Sequence, residues 1–424
     1  MKKKIFVSSV FIAILLLNAI LTFGCTELTF SDTSNPTYYS ELRVVGKDIV
    51  NEQNEKVRLR GTNAGSYFIH ENWMSPVSTC CYNHTIEILS NRFGESGMRT
   101  LIHAYEDSWW TEVDFDNVKK LGFNAIRLPI SYVNLTNLDG TYYEKGFQKI
   151  DWFLSKCAEK ELYVILDLHG AYGSQNGYDH SGNVHSAELF SSEENMNATV
   201  ELWKVLATRY KDNFTIAGFD LLNEPTSGYQ TGNTEKKHWD FYDRLYEEIR
   251  KIDENRVIIM MGTWDLNNLP APSKYGWQNV IYQFHNYHWS DTKSVSKQTR
   301  YAKSKLRGYK KLDVPVFIGE FSAFSEIESW QNTLDAYESV GCHWTTWSYK
   351  VSTTFRDDNN MWGLYCAQIE QVDVNTDSYE KILSVWSNLN TSETFVENKK
   401  ATEFFANYVK TVEEKNALNR LTNQ

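Results

Sequence analysis

Short apolar runs recur along the chain, separated by stretches with one apolar face. The runs span 58–65, 123–130, 163–170, 216–224, 256–262, 280–287, 315–321 and 343–350. Tyr163-Val164-Ile165-Leu166 and Val257-Ile258-Ile259-Met260 are apolar at every position, as in strands covered by helices on both faces. Between runs, Phe147, Ile150, Leu154 and Cys157 recur at the spacing of one helix face, as do Trp239, Tyr242, Tyr246 and Ile249, and Trp330, Leu334 and Tyr337. Strands alternating with helices predict a parallel sheet, and eight of them predict a closed (β/α)8 barrel of the TIM type. The gap between the fifth and sixth runs carries the poorest helical pattern. Ahead of the barrel, Val44, Ile49 and Val57 alternate around Gly46 and Asn51-Glu52-Gln53-Asn54, which predicts a small N-terminal β-hairpin. One or two helices are expected after Asp377, through Trp386 and Phe404-Phe405. No Pro/Gly/Ser-rich linker or repeat interrupts residues 42–424, which read as one domain.

The N-terminus reads as an address. Lys2, Lys3 and Lys4 precede an apolar run from Ile5 to about Phe23, the pattern of a secretory signal. Gly24-Cys25 ends it as a bacterial lipoprotein signal would, although Thr22 and Phe23 depart from that pattern. Residues 1–24 are expected to be a cleaved or lipoprotein signal, with lipidation at Cys25, and the run is also near the length of a retained spanning anchor. Residues 25–41 are polar and aperiodic and read as a tether. The protein is expected to be secreted or held at the cell surface, with any membrane attachment through the N-terminus only.

Composition narrows the partners. The formal net charge of -11 argues against nucleic acid, whose phosphates call for basic patches, and is compatible with a neutral polysaccharide. Aromatic residues reach 14%, including 14 Trp and 25 Tyr; most are expected in the core, but aromatic faces also bind sugar rings. The six cysteines show no CxxC metal pattern.

In a barrel of this kind the chemistry lies at the C-terminal ends of the strands. Arg127 stands near the end of the second run, Asp167 and His169 at the third, and Asn223-Glu224-Pro225 at the fourth. His285 and Tyr287 end the sixth, Glu320 the seventh and Trp347 the eighth. One such residue alone is commonly a strand cap; six strands ending this way point to a site. Two carboxylates facing across a pocket suit glycoside hydrolysis, in which retaining enzymes hold the pair about 5–5.5 Å apart. His285, His288, His169 and Asp167 are metal-ligand types, but they lack a HExxH-like spacing. No GxSxG elbow is present. Neither a metal nor a cofactor is expected.

Several ordered segments resemble family 5 glycoside hydrolases, and among them the exo-β-1,3-glucanases. They are Arg60-Gly61-Thr62-Asn63-Ala64-Gly65 with Glu71-Asn72-Trp73, Asn91-Arg92-Phe93-Gly94, Trp110-Thr111-Glu112-Val113-Asp114-Phe115, and Gly122-Phe123-Asn124-Ala125-Ile126-Arg127-Leu128-Pro129-Ile130. The most specific is Leu166-Asp167-Leu168-His169-Gly170-Ala171-Tyr172-Gly173-Ser174-Gln175-Asn176-Gly177-Tyr178-Asp179. The resemblance implies a retaining β-glycosidase acting on β-glucan, with Glu224 as acid/base and Glu320 as nucleophile. It implies that Asn223 binds the sugar 2-hydroxyl, that Tyr287 and Arg127 keep Glu320 ionised and oriented, and that His169 and His285 line the subsite, His285 near Glu224. Trp347 would form its floor, and Glu71 and Asp179 would hold the terminal glucose. As a general acid, Glu224 is expected to have its pKa raised by the nearby Glu320 charge. Tyr172 stands where those exo-glucanases usually have Pro, and Thr346-Trp347-Ser348-Tyr349-Lys350 looks more like bacterial members of the broader family. An endo-β-1,4-glucanase or another β-glycosidase on the same barrel is the alternative enzyme. A non-catalytic carbohydrate-binding protein is the alternative from another class, and it would predict loss of a carboxylate.

Overall fold

The computed structural model describes residues 39–226, 235–352 and 361–422. Three short strands come first: β1 (Arg43–Val45), β2 (Asp48–Val50) and β3 (Lys56–Val57). Eight barrel strands follow: β4 (Arg60–Asn63), β5 (Ala125–Ser131), β6 (Tyr163–Gly170), β7 (Ile216–Asp220), β8 (Ile258–Met261), β9 (Val280–Tyr287), β10 (Val316–Ser322) and β11 (His343–Thr346). Each pairs in parallel with its neighbour, and β10–β11–β4 closes the ring. Each barrel strand coincides with one of the eight apolar runs, β5 and β10 running one residue past theirs. The closest approach is between β4 and β5, where a Cβ on Gly61 would lie 1.7 Å from the Ala125 carbonyl oxygen, so only glycine fits there.

The expected helical faces form helices at Glu144–Glu159, Lys236–Arg250 and Ile327–Ser339, with Phe147, Tyr242 and Trp330 turned onto the barrel and buried. The connection between β8 and β9 holds two 3-10 turns, Leu266–Asn268 and Pro272–Lys274, in place of an α-helix, in keeping with its weak helical spacing. The N-terminal hairpin is extended by one strand: β1, β2 and β3 form an antiparallel meander. Leu42, Ile49 and Leu59 pack against Ala125, Ile165, Ala217, Ile259, Ile281 and Phe317, closing the bottom of the barrel. Burial is worth roughly 1.5–3 kcal/mol for each large apolar side chain, so this plug is part of the core.

A feature not anticipated is a small sheet of β12 (Lys350–Ser352), β13 (Tyr365–Ala367) and β14 (Val396–Glu397) beside the top of the barrel. Its strands have only two or three residues, too short for a periodic signal. The segment after β4 also contributes a long helix, Tyr82–Trp109, interrupted at Gly94 where φ is +69°. Helices Tyr379–Trp386 and Lys399–Thr422 carry the expected Trp386 and Phe405 into the core.

The apolar run from Ile5 and Cys25 lie outside the described residues. Among the described residues no helix is long and apolar enough to cross a membrane. Cys80, Cys81, Cys157, Cys342 and Cys366 are all free thiols.

Candidate active site

The strand-end residues converge at the top of the barrel around one fully buried cation. Arg127, on β5, is 0% exposed. Its Nη1 donates to Glu320 Oε1 at 2.9 Å and to Asn63 Oδ1 at 3.1 Å. Its Nε donates to Asp220 Oδ2 at 2.8 Å, and Nη2 reaches Asn223 Oδ1 at 2.9 Å and Asp167 Oδ1 at 3.0 Å. A planar guanidinium is suited to this, since its donors spread in a fixed plane toward several strands at once. Three carboxylates thus share one cation. Burial pushes the Asp167 and Asp220 carboxyls up to about 7 despite Arg127 beside them.

Glu320 receives a second donor from Tyr287 Oη at 3.0 Å. It lies on β10 beside His285 of β9, just past a register shift at Gly319. A Cβ on Gly319 would meet Gln283 Oε1 at 2.2 Å and His285 Nε2 at 3.1 Å, so glycine makes room for both. Burial, the largest influence, pushes the Glu320 carboxyl well above the ordinary range; Arg127 opposes this, and the Glu224 and Glu71 charges add to it.

Glu224 follows β7 with φ of +44°, a backbone region that an ordinary residue enters at a cost. The following Pro225 restricts it further. The surrounding loops hold it there. Gln175 Nε2 donates to the Asn223 carbonyl at 2.8 Å, Asn176 Nδ2 to the Glu224 carbonyl at 3.1 Å, and Thr263 Oγ1 to the Pro225 carbonyl at 2.6 Å. Gln175 and Asn176 therefore serve the site as braces, a role the motif alone did not reveal.

The Glu224 carboxyl lies between two imidazoles. His285 Nδ1 is 2.6 Å from Oε1 and His180 Nε2 is 3.1 Å from Oε2. Glu224, His285 and Glu320 each place an atom within 4.8 Å of the others, so the two carboxylates face each other at close range. The expected rise in the Glu224 pKa is not what this environment produces. Burial does favour the neutral form, but the His180 cation outweighs it, with His285 helping, and the carboxyl is held well below its ordinary range. His180 was absent from the residues singled out in the sequence.

His169 Nδ1 lies 2.6 Å from Asp167 Oδ2, and its ring stacks on Trp347 at 5.5 Å and 6°. Asn223 Nδ2 is 3.3 Å from His169 Nε2. Across the pocket, Glu71 is buried; Trp73 Nε1 donates to its Oε2 at 2.7 Å, while Oε1 has no hydrogen-bond partner among the described residues. Glu71, Asp179 and His180 bring one atom each within 4.8 Å of one another. Each of these two clusters of ligand-type atoms holds an imidazole that faces Glu224, His180 in one and His285 in the other.

All ten residues expected from the sequence lie around this pocket or directly support it. The additional members are His180, Asp220, Gln175 and Asn176. Asp220 had a signal: a carboxylate inside a run otherwise apolar on both faces must meet a buried cation.

The profile described as Cellulase (glycosyl hydrolase family 5) matches residues 89–352. A beta-xylosidase of Phanerodontia chrysosporium is 31% identical over 251 residues, covering 58% of this chain and 52% of that protein. A glucan 1,3-beta-glucosidase of Candida oleophila is 31% identical over 258 residues, covering 55% and 59%. A probable glucan 1,3-beta-glucosidase A of Aspergillus clavatus is 27% identical over 294 residues, covering 67% and 69%. The chain thus spans little more than half the length of the first two relatives. In fold, the rutinosidase from Aspergillus niger aligns with TM-score 0.58 at 14% identity over 70% of this chain and 91% of that one. An endogalactoceramidase aligns with TM-score 0.60 at 16% identity over 87% and 84%.

Proposed function

This chain belongs to glycosyl hydrolase family 5, and we propose that it is a retaining β-glycosidase that removes glucose from the non-reducing end of β-1,3-glucan. The observation that carries the reading is the pair Glu224 and Glu320, facing within 4.8 Å, with Arg127 and Tyr287 both donating to Glu320. Glu320 attacks the anomeric carbon while Glu224 gives a proton to the departing oxygen, leaving a glycosyl ester on Glu320. Glu224 then takes a proton from water, which attacks the same carbon and frees Glu320. Arg127 and Tyr287 favour the charged form of Glu320 and aim its oxygens. Asn223 reaches the sugar 2-hydroxyl, and Trp347, braced by His169, supplies an apolar floor.

The exo and β-1,3 parts are supported by Glu71 and Asp179 and by the relatives named as glucan 1,3-beta-glucosidases. A buried acceptor such as Glu71 Oε1, left unpaired by a wrong ligand, costs about 1–3 kcal/mol. Hydroxyls of a terminal glucose satisfy it, and a continuing chain does not. Digestion of laminari-oligosaccharides labelled at the reducing end is expected to release glucose from the first time point and to shorten the chain stepwise. Mid-sized oligosaccharides at early times, or strong activity on β-1,4-glucan with none on laminarin, would contradict it.

We also propose that residues 1–24 direct export, that 25–41 tether the domain formed by 42–424, and that the enzyme works outside the cell. Fractionation with metabolic lipid labelling is expected to find it in the membrane or medium, with label lost in Cys25→Ser if lipidated. Full-length protein in the cytosol would count against export.

A further inference from the structure

His180 has no part in the mechanism just described, yet its Nε2 lies within hydrogen-bonding distance of the Glu224 carboxyl. It sits in the 3-10 turn Asp179–Ser181, and that turn is pinned from several sides. Ser181 Oγ meets Ser174 Oγ at 2.6 Å, and Asn83 N donates to the Gly182 carbonyl at 2.9 Å. The ring stacks on Tyr178 at 5.5 Å and 16°, and meets His169 edge-on at 5.9 Å. Its orientation is thereby fixed, with Nε2 3.1 Å from Glu224 Oε2 and Nδ1 3.9 Å from Asp179 Oδ1. Asn176 Nδ2, which donates one N–H to the Glu224 carbonyl, also lies 2.9 Å from the same Nε2, so its second N–H favours that nitrogen once it has given up its proton.

The charges around this ring are almost all negative. Glu224 faces one nitrogen, Asp179 the other, and Glu71 lies within the same cluster. The nearby cation, Arg127, is engaged with Asp167, Asp220 and Glu320. His285, the other imidazole at Glu224, is held neutral by burial, its pKa pushed down to about 3, so it has no proton to spare. Burial also works against a charged His180, but Glu224, then Glu71 and Asp179, outweigh it and lift its pKa to about 10.

We propose that His180 is the proton partner of Glu224: the ring and the carboxylate hold one proton between them, and Nε2 passes it to Oε2 for delivery to the leaving oxygen. The proposal rests on Glu224 being the acid/base. In the first half-reaction the Nε2–H bond breaks and Glu224 takes the proton. It then gives it up to the glycosidic oxygen as the bond from that oxygen to the anomeric carbon breaks and the bond to Glu320 forms. In the second half, the attacking water loses a proton to Glu224, which returns it to Nε2, and the ester to Glu320 is released. No proton is gained or lost by the pair over a turnover. Hydroxyls of the bound sugar that donate to Glu71 and Asp179 weaken the pull of these carboxylates on the ring, so occupancy of the pocket moves the proton toward Glu224. This explains how a carboxyl held ionised in the free protein can act as an acid.

The test compares wild type with His180→Gln, whose side-chain amide can still donate to Glu224 but cannot surrender its proton. The readout is kcat/KM against pH on laminaribiose and on 2,4-dinitrophenyl β-glucoside, whose leaving group needs no proton. On laminaribiose the basic limb of the variant is expected to fall by about one pH unit or more, an approximately tenfold loss at pH 8. The dinitrophenyl substrate is expected to change little, which also shows that the variant is folded. If His180→Gln does not fold, His180→Asn is read in the same way. An unchanged basic limb on laminaribiose would overturn the proposal. So would wild-type activity that is lost on dialysis against EDTA and restored by a divalent cation, since the ring would then be a ligand. A wild type inactive on both substrates would instead defeat the glycosidase reading itself.

Discussion

Glu224→Ala is expected to slow laminaribiose hydrolysis by about 10²–10⁴-fold, the usual contribution of a positioned general acid. The same variant is expected to keep most of the first-step rate on 2,4-dinitrophenyl β-glucoside, because that leaving group departs without a proton. Its ester on Glu320 then persists, as water has lost its base. Added azide, a small anion that needs no deprotonation, enters the space left by the side chain and restores turnover as β-glucosyl azide. The geometry motivates this outcome: Glu224 is buried, and its oxygens are reached by His285 and His180. Equal losses on both substrates with no azide rescue would make Glu224 a structural residue.

Arg127→Met is expected to destabilise the fold by about 3–5 kcal/mol, because it strands buried carboxylates without their cation. Asp167, Asp220 and Glu320 all pair with this one guanidinium, which is itself 0% exposed. The loss should depend on pH in a definite direction. Asp167 and Asp220 already have folded pKa values of about 7, above the ordinary 3.8. Between those values the folded state binds more protons than the unfolded one, so their contribution to stability falls as pH rises through this window. Removing Arg127 raises both further and extends that fall to higher pH. The drop in Tm relative to wild type is therefore expected to be larger at pH 8 than at pH 5. Equal drops at the two pH values would mean that the variant suffers from lost packing rather than lost charge.

The barrel was legible because each of its strands is a buried run of consecutive apolar residues, and a covered parallel sheet permits little else. The connection between β8 and β9 shows the same rule in reverse: without an apolar stripe, no α-helix forms there. Strands of two or three residues, such as β3 and β12 to β14, are too short to carry a period, which is why the N-terminal hairpin gains a strand and the side sheet went unforeseen. At the site, residues at strand ends could be placed from the topology alone, since the barrel fixes where those ends meet. The protonation of Glu224 could not. It depends on His180, which arrives from a turn after β6 whose path is set by the contact of Ser174 with Ser181 and by the Asn83 N–H donated to the Gly182 carbonyl. Nor did the sequence reveal that Gln175 and Asn176 brace Glu224 in its left-handed conformation, because those hydrogen bonds run between two loops.

The central claim is that Glu320 becomes covalently bonded to the sugar during turnover. Incubation with 2,4-dinitrophenyl 2-deoxy-2-fluoro-β-glucoside, followed by proteolysis and mass spectrometry, tests it directly, since the fluorine slows both steps while the dinitrophenolate leaving group speeds only the first, so the ester accumulates. The predicted result is one added 2-fluoroglucosyl group, on the peptide containing Glu320 and on that residue. Label on Glu224 or on no residue, together with release of the α-anomer as the first product, would contradict it.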